Sequence, residues 1–222
     1  MIGHNNGPPF DAPTEESDYV RAQTWRRAYK QAHQPPSAEV ALLRLRAAEA
    51  LGLEYRDYSA ILKDRGRSPR ALFFGLGGTL VRTRNNEIAE DRHGAVTLMP
   101  GVRAKLTKLH DCLVFVVTNQ ARIAEGLLAR ETVEGYIRQV SDLCGGAISD
   151  FAIAGEAPGP NNAARKPVTR LIRELIGKHA LQPGQGVMVS GTAEDENCAS
   201  EAGLARFLWS WRYFALPLPA SP

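Results

Sequence analysis

From residue 70 onward the chain alternates short apolar runs with stretches of helical period. The runs lie at 71–74, 113–117, 148–154, 187–189 and 205–208. Between them, near 101–110, 130–144, 167–179 and 195–203, apolar residues return at intervals of three and four. The runs are almost continuously apolar and do not alternate with polar residues, as strands buried on both faces require. Strand–helix alternation of this kind predicts an α/β architecture: a Rossmann-like parallel sheet with helices on both faces. In such a sheet, ligands meet the carboxyl ends of the strands, near the point where strand order reverses.

The N-terminal part has a different texture. Residues 18–34 predict a helix, with Ser17 or Asp18 as its cap, in which Tyr19, Trp25 and Tyr29 are interleaved with Arg21, Arg26, Arg27 and Lys30. Pro35 and Pro36 stop it. Ser37 is placed to cap a second helix with Val40, Leu43, Ala47 and Leu51 on one face, which Gly52 ends. A third helix over 55–63 stops at Gly66. The expected organisation is a disordered lead over 1–17, rich in Gly, Pro and Asn, and a helical arm over 18–68. An α/β domain over 69–214 and a tail over 215–222 follow.

Composition narrows the function classes. The 222 residues are 44% hydrophobic, enough for one good core with an appendage, and the formal net charge is only +3. Charge over the whole chain does not demand a nucleic-acid partner. Residues 19–70, however, hold 11 Lys/Arg against 5 Asp/Glu, a local balance of 11 − 5 = +6. The arm therefore reads either as an element that binds nucleic acid or a protein partner, or as a solvated helical cap packed through its aromatics.

Cys112, Cys144 and Cys198 are odd in number, far apart and without a CxxC pair. That argues against a disulfide framework or a zinc knuckle and for a reducing, cytoplasmic setting. No apolar run approaches the roughly 18–20 residues of a membrane span, and the first residues lack the basic start and apolar stretch of a signal peptide.

Chemistry concentrates at the predicted strand ends and helix starts. Gly75-Leu76-Gly77-Gly78-Thr79 follows the first run, Thr118-Asn119-Gln120 the second, and Ser190-Gly191-Thr192 the fourth, leading to Asp195. Arg165-Lys166-Pro167 precedes a helix. A phosphate at such a place would meet backbone N–H groups, a hydroxyl and a lysine.

In this order the segments resemble the four motifs of the haloacid-dehalogenase-like (HAD) superfamily: DxDGT, a Ser/Thr, a Lys and GDxxxD. ALFFGLGGTLV (71–81) is similar to the family's strand and nucleophile loop. FVVTNQARIAEGLL (115–128) resembles the branch of histidinol-phosphate, heptose-bisphosphate and polynucleotide 3′-phosphatases, except that Arg122 stands where that branch has glycine. RKPVT (165–169) is closest to the polynucleotide 3′-phosphatases. The resemblance spans residues 70–214, and the short interval between the first two motifs implies the capless form.

The resemblance also implies roles, and there the chain departs from it. The nucleophile position is Gly75, the acid/base position Gly77, and one metal position Gly191, preceded by Ser190 where the family has glycine. Glycine has no side chain with which to attack phosphorus, transfer a proton or coordinate a cation. Gly78, Thr79, Thr118, Asn119, Arg165 and Lys166 stand at phosphate-site positions, and Asp195 at the second metal position. Asp195 reads equally as a helix N-cap.

The expectation is therefore a HAD-like protein without its chemistry, needing no cofactor and acting in binding or regulation. It would take a phosphorylated ligand or nucleic-acid end, or a protein partner through the arm. Two alternatives remain open. One is an active Mg²⁺-dependent phosphomonoesterase using an unrecognised acid. The other is a structural protein that builds an oligomer.

Overall fold

A computed structural model describes residues 18–32, 34–85, 87–155 and 167–216. The chain divides into two units, Met1–Leu43 and Arg44–Pro222.

The first unit contains α1 (Asp18–Ala32) and the start of α2 (Ala38–Ala50). Trp25 and Tyr29, one turn apart on α1, stack with ring centroids 5.3 Å apart and planes 17° from parallel. Both side chains are more than half exposed, at 62% and 51%. Ser37 caps α2: its hydroxyl accepts from the Val40 N–H (3.4 Å), and its carbonyl accepts from the Ala41 N–H (2.9 Å). The apolar face expected from Val40, Leu43, Ala47 and Leu51 is buried only at its far end. Val40 and Leu43 are exposed, Ala47 is half-buried and Leu51 is buried.

The second unit is built on a five-stranded, all-parallel sheet. After α3 (Tyr55–Arg65) come β1 (Ala71–Phe74) and a small hairpin of β2 (Thr83–Arg84) and β3 (Glu87–Ile88). Then follow α4 (Val102–Leu106), β4 (Leu113–Asn119), α5 (Ala121–Ala124), α6 (Arg130–Leu143), β5 (Asp150–Ala154) and α7 (Pro167–Lys178). The chain ends through β6 (Gly186–Ser190), α8 (Ala193–Ala202), β7 (Arg206–Trp209) and α9 (Ser210–Tyr213). The strand order is β5-β4-β1-β6-β7, so β1 is central and the path reverses beside it.

Alternate residues of each strand point to opposite faces. Leu72, Phe74, Val114, Val116, Val187 and Val189 join one core, covered by α3, α4 and α6 through Tyr58, Ile61, Val102, Leu106, Ile137 and Val140. Phe73, Phe115, Val117 and Met188 join the other, covered by α7 and α8 through Leu171, Ile172, Leu175 and Ala199. This is the two-sided burial that the continuous apolar runs predict.

α3 belongs to the first of these cores. It stops at Gly66, whose φ of 66° and N–H bond to the Leu62 carbonyl (2.9 Å) close the helix as the sequence predicts. Asp57, 2% exposed, fixes α3 to the edge of the sheet. Its Oδ1 lies 2.9 Å from Arg206 Nη2 and its Oδ2 2.9 Å from Arg212 Nη2. At the opposite edge, Asp150 accepts from Lys178 (2.7 Å) and His179 (2.7 Å), tying the end of α7 to the start of β5. Burial alone would raise the Asp150 carboxyl. The bonds from Lys178 and His179 outweigh it and hold the group below the ordinary carboxylate range.

Several boundaries differ from the sequence reading. β4 continues through Thr118 and Asn119, which pair with Ile153 and Ala154, so these two residues are the strand end and not a loop after it. β5 begins at Asp150 and not at 148, because the preceding Ser149 is used sideways: its hydroxyl accepts from the Val114 N–H (3.1 Å). The helix near 101–110 is only five residues long and gives way to a turn. The β2–β3 hairpin has no apolar alternation to announce it. The chain that follows it is tied to α6, where Gln139 bonds the Val96 N–H (3.0 Å) and the Gly94 carbonyl (3.3 Å).

Among the described residues no helix is long and apolar enough to cross a membrane. The described cysteines are unpaired, and burial pushes the Cys112 thiol up to about 11.

Candidate functional site at the carboxyl edge of the sheet

The parallel register sets the site. Phe74 pairs with Val116 on one side and Val189 on the other, so Gly75 emerges between the ends of β4 and β6. Gly75, Thr118, Ser190 and Gly191 thus gather at one edge of the sheet. The loop after β1 turns tightly: the Leu80 and Val81 N–H groups both bond the Leu76 carbonyl (2.9 and 3.1 Å), and Gly78 adopts a φ of 69°. That left-handed conformation is open to glycine and strained for a side-chain-bearing residue. The turn brings Thr79 back, buried, against β6.

A hydrogen-bonded chain of side chains follows. Thr79 Oγ1 lies 3.4 Å from Ser190 Oγ and accepts from the Gly191 N–H at 3.2 Å. The Ser190 hydroxyl donates to Asp195 Oδ2 at 2.5 Å. The N-cap of α8 is Thr192, whose hydroxyl accepts from the Asp195 N–H at 3.3 Å. The N-cap reading of Asp195 is therefore corrected: its side chain bonds Ser190 at the end of β6, and Thr192, three residues earlier, does the capping. Burial pushes the Asp195 carboxyl above its ordinary range, against the downward pull of its bonds to Ser190 and Thr192.

The other predicted positions fall around this chain. Thr118 is buried and its hydroxyl accepts from Gln120 Nε2 at 2.9 Å, while Asn119 is exposed. Gly77 is exposed on the loop. Arg165 and Lys166 lie outside the described residues. Arg122, at the glycine position of the resembling branch, pairs with Glu87 of the hairpin at 2.6 Å and so draws the hairpin toward the loop after β4. Tyr136 bonds Glu90 nearby, and burial followed by this bond pushes its phenol up to about 12.

Two participants escape a reading of motifs. Ser190 registers only as a departure from glycine, and nothing in its neighbours along the chain indicates that it bonds Asp195. The Arg122–Glu87 pair joins α5 to β3, two elements distant in sequence. A hydroxyl beside a missing carboxylate, and an arginine at a glycine position, are the signals that point to them.

Mg²⁺, implied by the resemblance for an active member, is held by carboxylate and other oxygen ligands. Gly75 and Gly191 offer no carboxylate, and the Asp195 oxygen nearest Gly75 is bonded to Ser190. Among the described residues no group of three or more His, Cys, Asp and Glu stands close enough to hold a metal. These residues do not fit the ion.

The sheet order and the helices on both faces define an α/β fold with a five-stranded parallel sheet. No protein-family model matches the chain. Its fold is similar to that of a protein assigned as a HAD-like phosphatase from Mesorhizobium loti, with 22% identity over 63% of this chain and 71% of that one, and a TM-score of 0.51. It is also similar to the D,D-heptose 1,7-bisphosphate phosphatase of B. bronchiseptica, whose crystal structure contains magnesium and phosphate. There the identity is 18% over 68% of this chain and 89% of the other, with a TM-score of 0.55.

Proposed function

We propose that this protein is a phosphatase-fold domain that does not hydrolyse phosphate esters and acts by binding. The carrying observation is that positions 75, 77 and 191 have no side chain, while Asp195 is engaged with Ser190. Removing a nucleophile or general base costs on the order of 10⁴–10⁶ in rate elsewhere. Here the nucleophile, the acid/base and a metal ligand are missing together. What remains suits an anion: the Leu76 and Gly77 N–H groups of the glycine-rich loop, the Thr118 hydroxyl, and, outside the described residues, Arg165 and Lys166 at positions that the resemblance gives to the phosphate site. Fewer carboxylates also mean less repulsion of a phosphate in the absence of metal.

The purified chain with Mg²⁺ is expected to release no phosphate from an aryl phosphate or a 3′-phosphorylated oligonucleotide above a protein-free control. Calorimetric titration with inorganic phosphate, without metal, is expected to saturate. Mg²⁺-dependent turnover would overturn the inactive reading, and a flat titration would overturn the anion reading.

A partner-facing role for the first unit is supported by α1. An exposed, stacked Trp25–Tyr29 pair beside exposed Arg26 and Arg27 has the makings of a single-strand platform, in which bases stack on aromatic faces and arginines meet phosphates. A fluorescent single-stranded oligonucleotide is expected to bind with an affinity that falls steeply with salt. Trp25→Ala with Tyr29→Ala is expected to weaken it about tenfold or more. Binding that ignores salt and both substitutions would refute this role.

A further inference from the structure

The poor fit of the loop cluster to a metal ion has a cause beyond the missing carboxylates. A Cβ placed on Gly75 would lie 2.9 Å from Ser190 Oγ, 3.0 Å from Thr79 Oγ1 and 3.5 Å from Asp195 Oδ2. The first distance is shorter than packed carbon atoms tolerate. Ser190 is 1% exposed, and its hydroxyl sits between Asp195 (2.5 Å) and Thr79 (3.4 Å). To admit a side chain at 75, the Ser190 hydroxyl must shift, against its bond to Asp195. Position 191 is less crowded: its nearest neighbours would be Ser210 Oγ at 3.3 Å and the Gly78 carbonyl at 3.4 Å.

We infer that Ser190 is a plug, whose hydroxyl, with the Asp195 carboxyl that it holds, occupies the space a side chain at 75 would need and locks the cluster in a metal-free form. Gly75 and Ser190 are then two halves of one packing arrangement. The glycine makes room for the hydroxyl, and the hydroxyl satisfies the half-buried carboxylate that lost its partners. This rests on the reading of Gly75 and Gly191 as former carboxylate positions. It adds that restoring those carboxylates is not enough: with Ser190 in place, Asp195 stays turned inward and the metal site stays closed.

The packing half is tested by a double-mutant cycle of Gly75→Ala and Ser190→Gly, with urea midpoints measured for the native chain, both single variants and the double variant. Gly75→Ala is expected to lower the midpoint when Ser190 is present and to leave it unchanged or raise it when residue 190 is glycine. The coupling should be about tenfold or more in the folding equilibrium. An equal drop in both backgrounds would overturn the plug.

The metal half is tested by calorimetric Mg²⁺ titration of the Gly75→Asp, Gly191→Asp chain with and without Ser190→Gly. Mg²⁺ is expected to bind at least about tenfold more tightly once Ser190 is removed. Equal affinities would also overturn the plug. If the native chain hydrolyses phosphate esters with Mg²⁺, the inactive reading fails whatever the cycle shows. If the coupling is absent while the native chain stays silent, only the plug fails.

Discussion

Asp57→Ala is expected to lower the unfolding free energy by about 3 kcal/mol, the lower end of what breaking a buried ion pair costs. The carboxylate is shared by two guanidinium groups, each at 2.9 Å, and one of these, Arg212, also reaches Glu54 at 2.9 Å. Alanine would leave Arg206 without its carboxylate and Arg212 with Glu54 alone. The lower end applies because the Arg206 and Arg212 side chains are 33% and 36% exposed, so water recovers part of their solvation. Asp57→Asn keeps the shape and loses the charge, and should fall between native and alanine. Urea denaturation checks both. A change within about 0.5 kcal/mol, the range of ordinary surface substitutions, would show that α3 is not anchored through this carboxylate.

Phe74→Ala is expected to cost about 3–5 kcal/mol, the range for emptying a buried aromatic site. Phe74 is 0% exposed at the end of the central strand. It packs edge-on against Tyr213 (5.6 Å between centroids) and against Phe214 (6.1 Å), and the Tyr213 hydroxyl donates to the Leu51 carbonyl at 3.1 Å. The ring therefore joins β1 to α9 and Phe214, and Tyr213 in turn ties α9 to Leu51 just past the end of α2. A cavity there cannot close without moving three elements, which is why the upper half of the range is expected. Phe74→Leu keeps most of the volume and should cost less than about 1.5 kcal/mol. Equal urea midpoints for the alanine and leucine variants would mean that the site collapses freely and the contact is not a junction.

The two variants probe parts of the molecule that were unequally legible in the sequence. The strands were readable because a strand buried on both faces must be apolar throughout, and 71–74 or 187–189 admit no other assignment in a chain that alternates with helices. The junctions were not. Asp57 sits in a charged stretch of a basic arm, and its partners are about 150 residues away in sequence, at 206 and 212. No local pattern distinguishes such an aspartate from a solvated one. The same holds for the hairpin at 83–88, whose polar residues give no local sign of the strand pair and whose Glu87 is met by Arg122 from a distant part of the sequence.

At the candidate site the division is similar. The order of the four loops, and the glycines at 75, 77 and 191, are properties of the chain itself, since a residue with no side chain can supply no carboxylate wherever it is placed. They determined the expectation of a site without carboxylates at these three positions, as the apolar runs determined the parallel α/β class. That Asp195 turns away from the helix cap toward Ser190 was decided only when β6 and α8 were set beside the loop after β1. Burying that carboxylate costs free energy that the Ser190 hydroxyl offsets by bonding it, and burial is a property of the assembled layers, absent from any segment read alone.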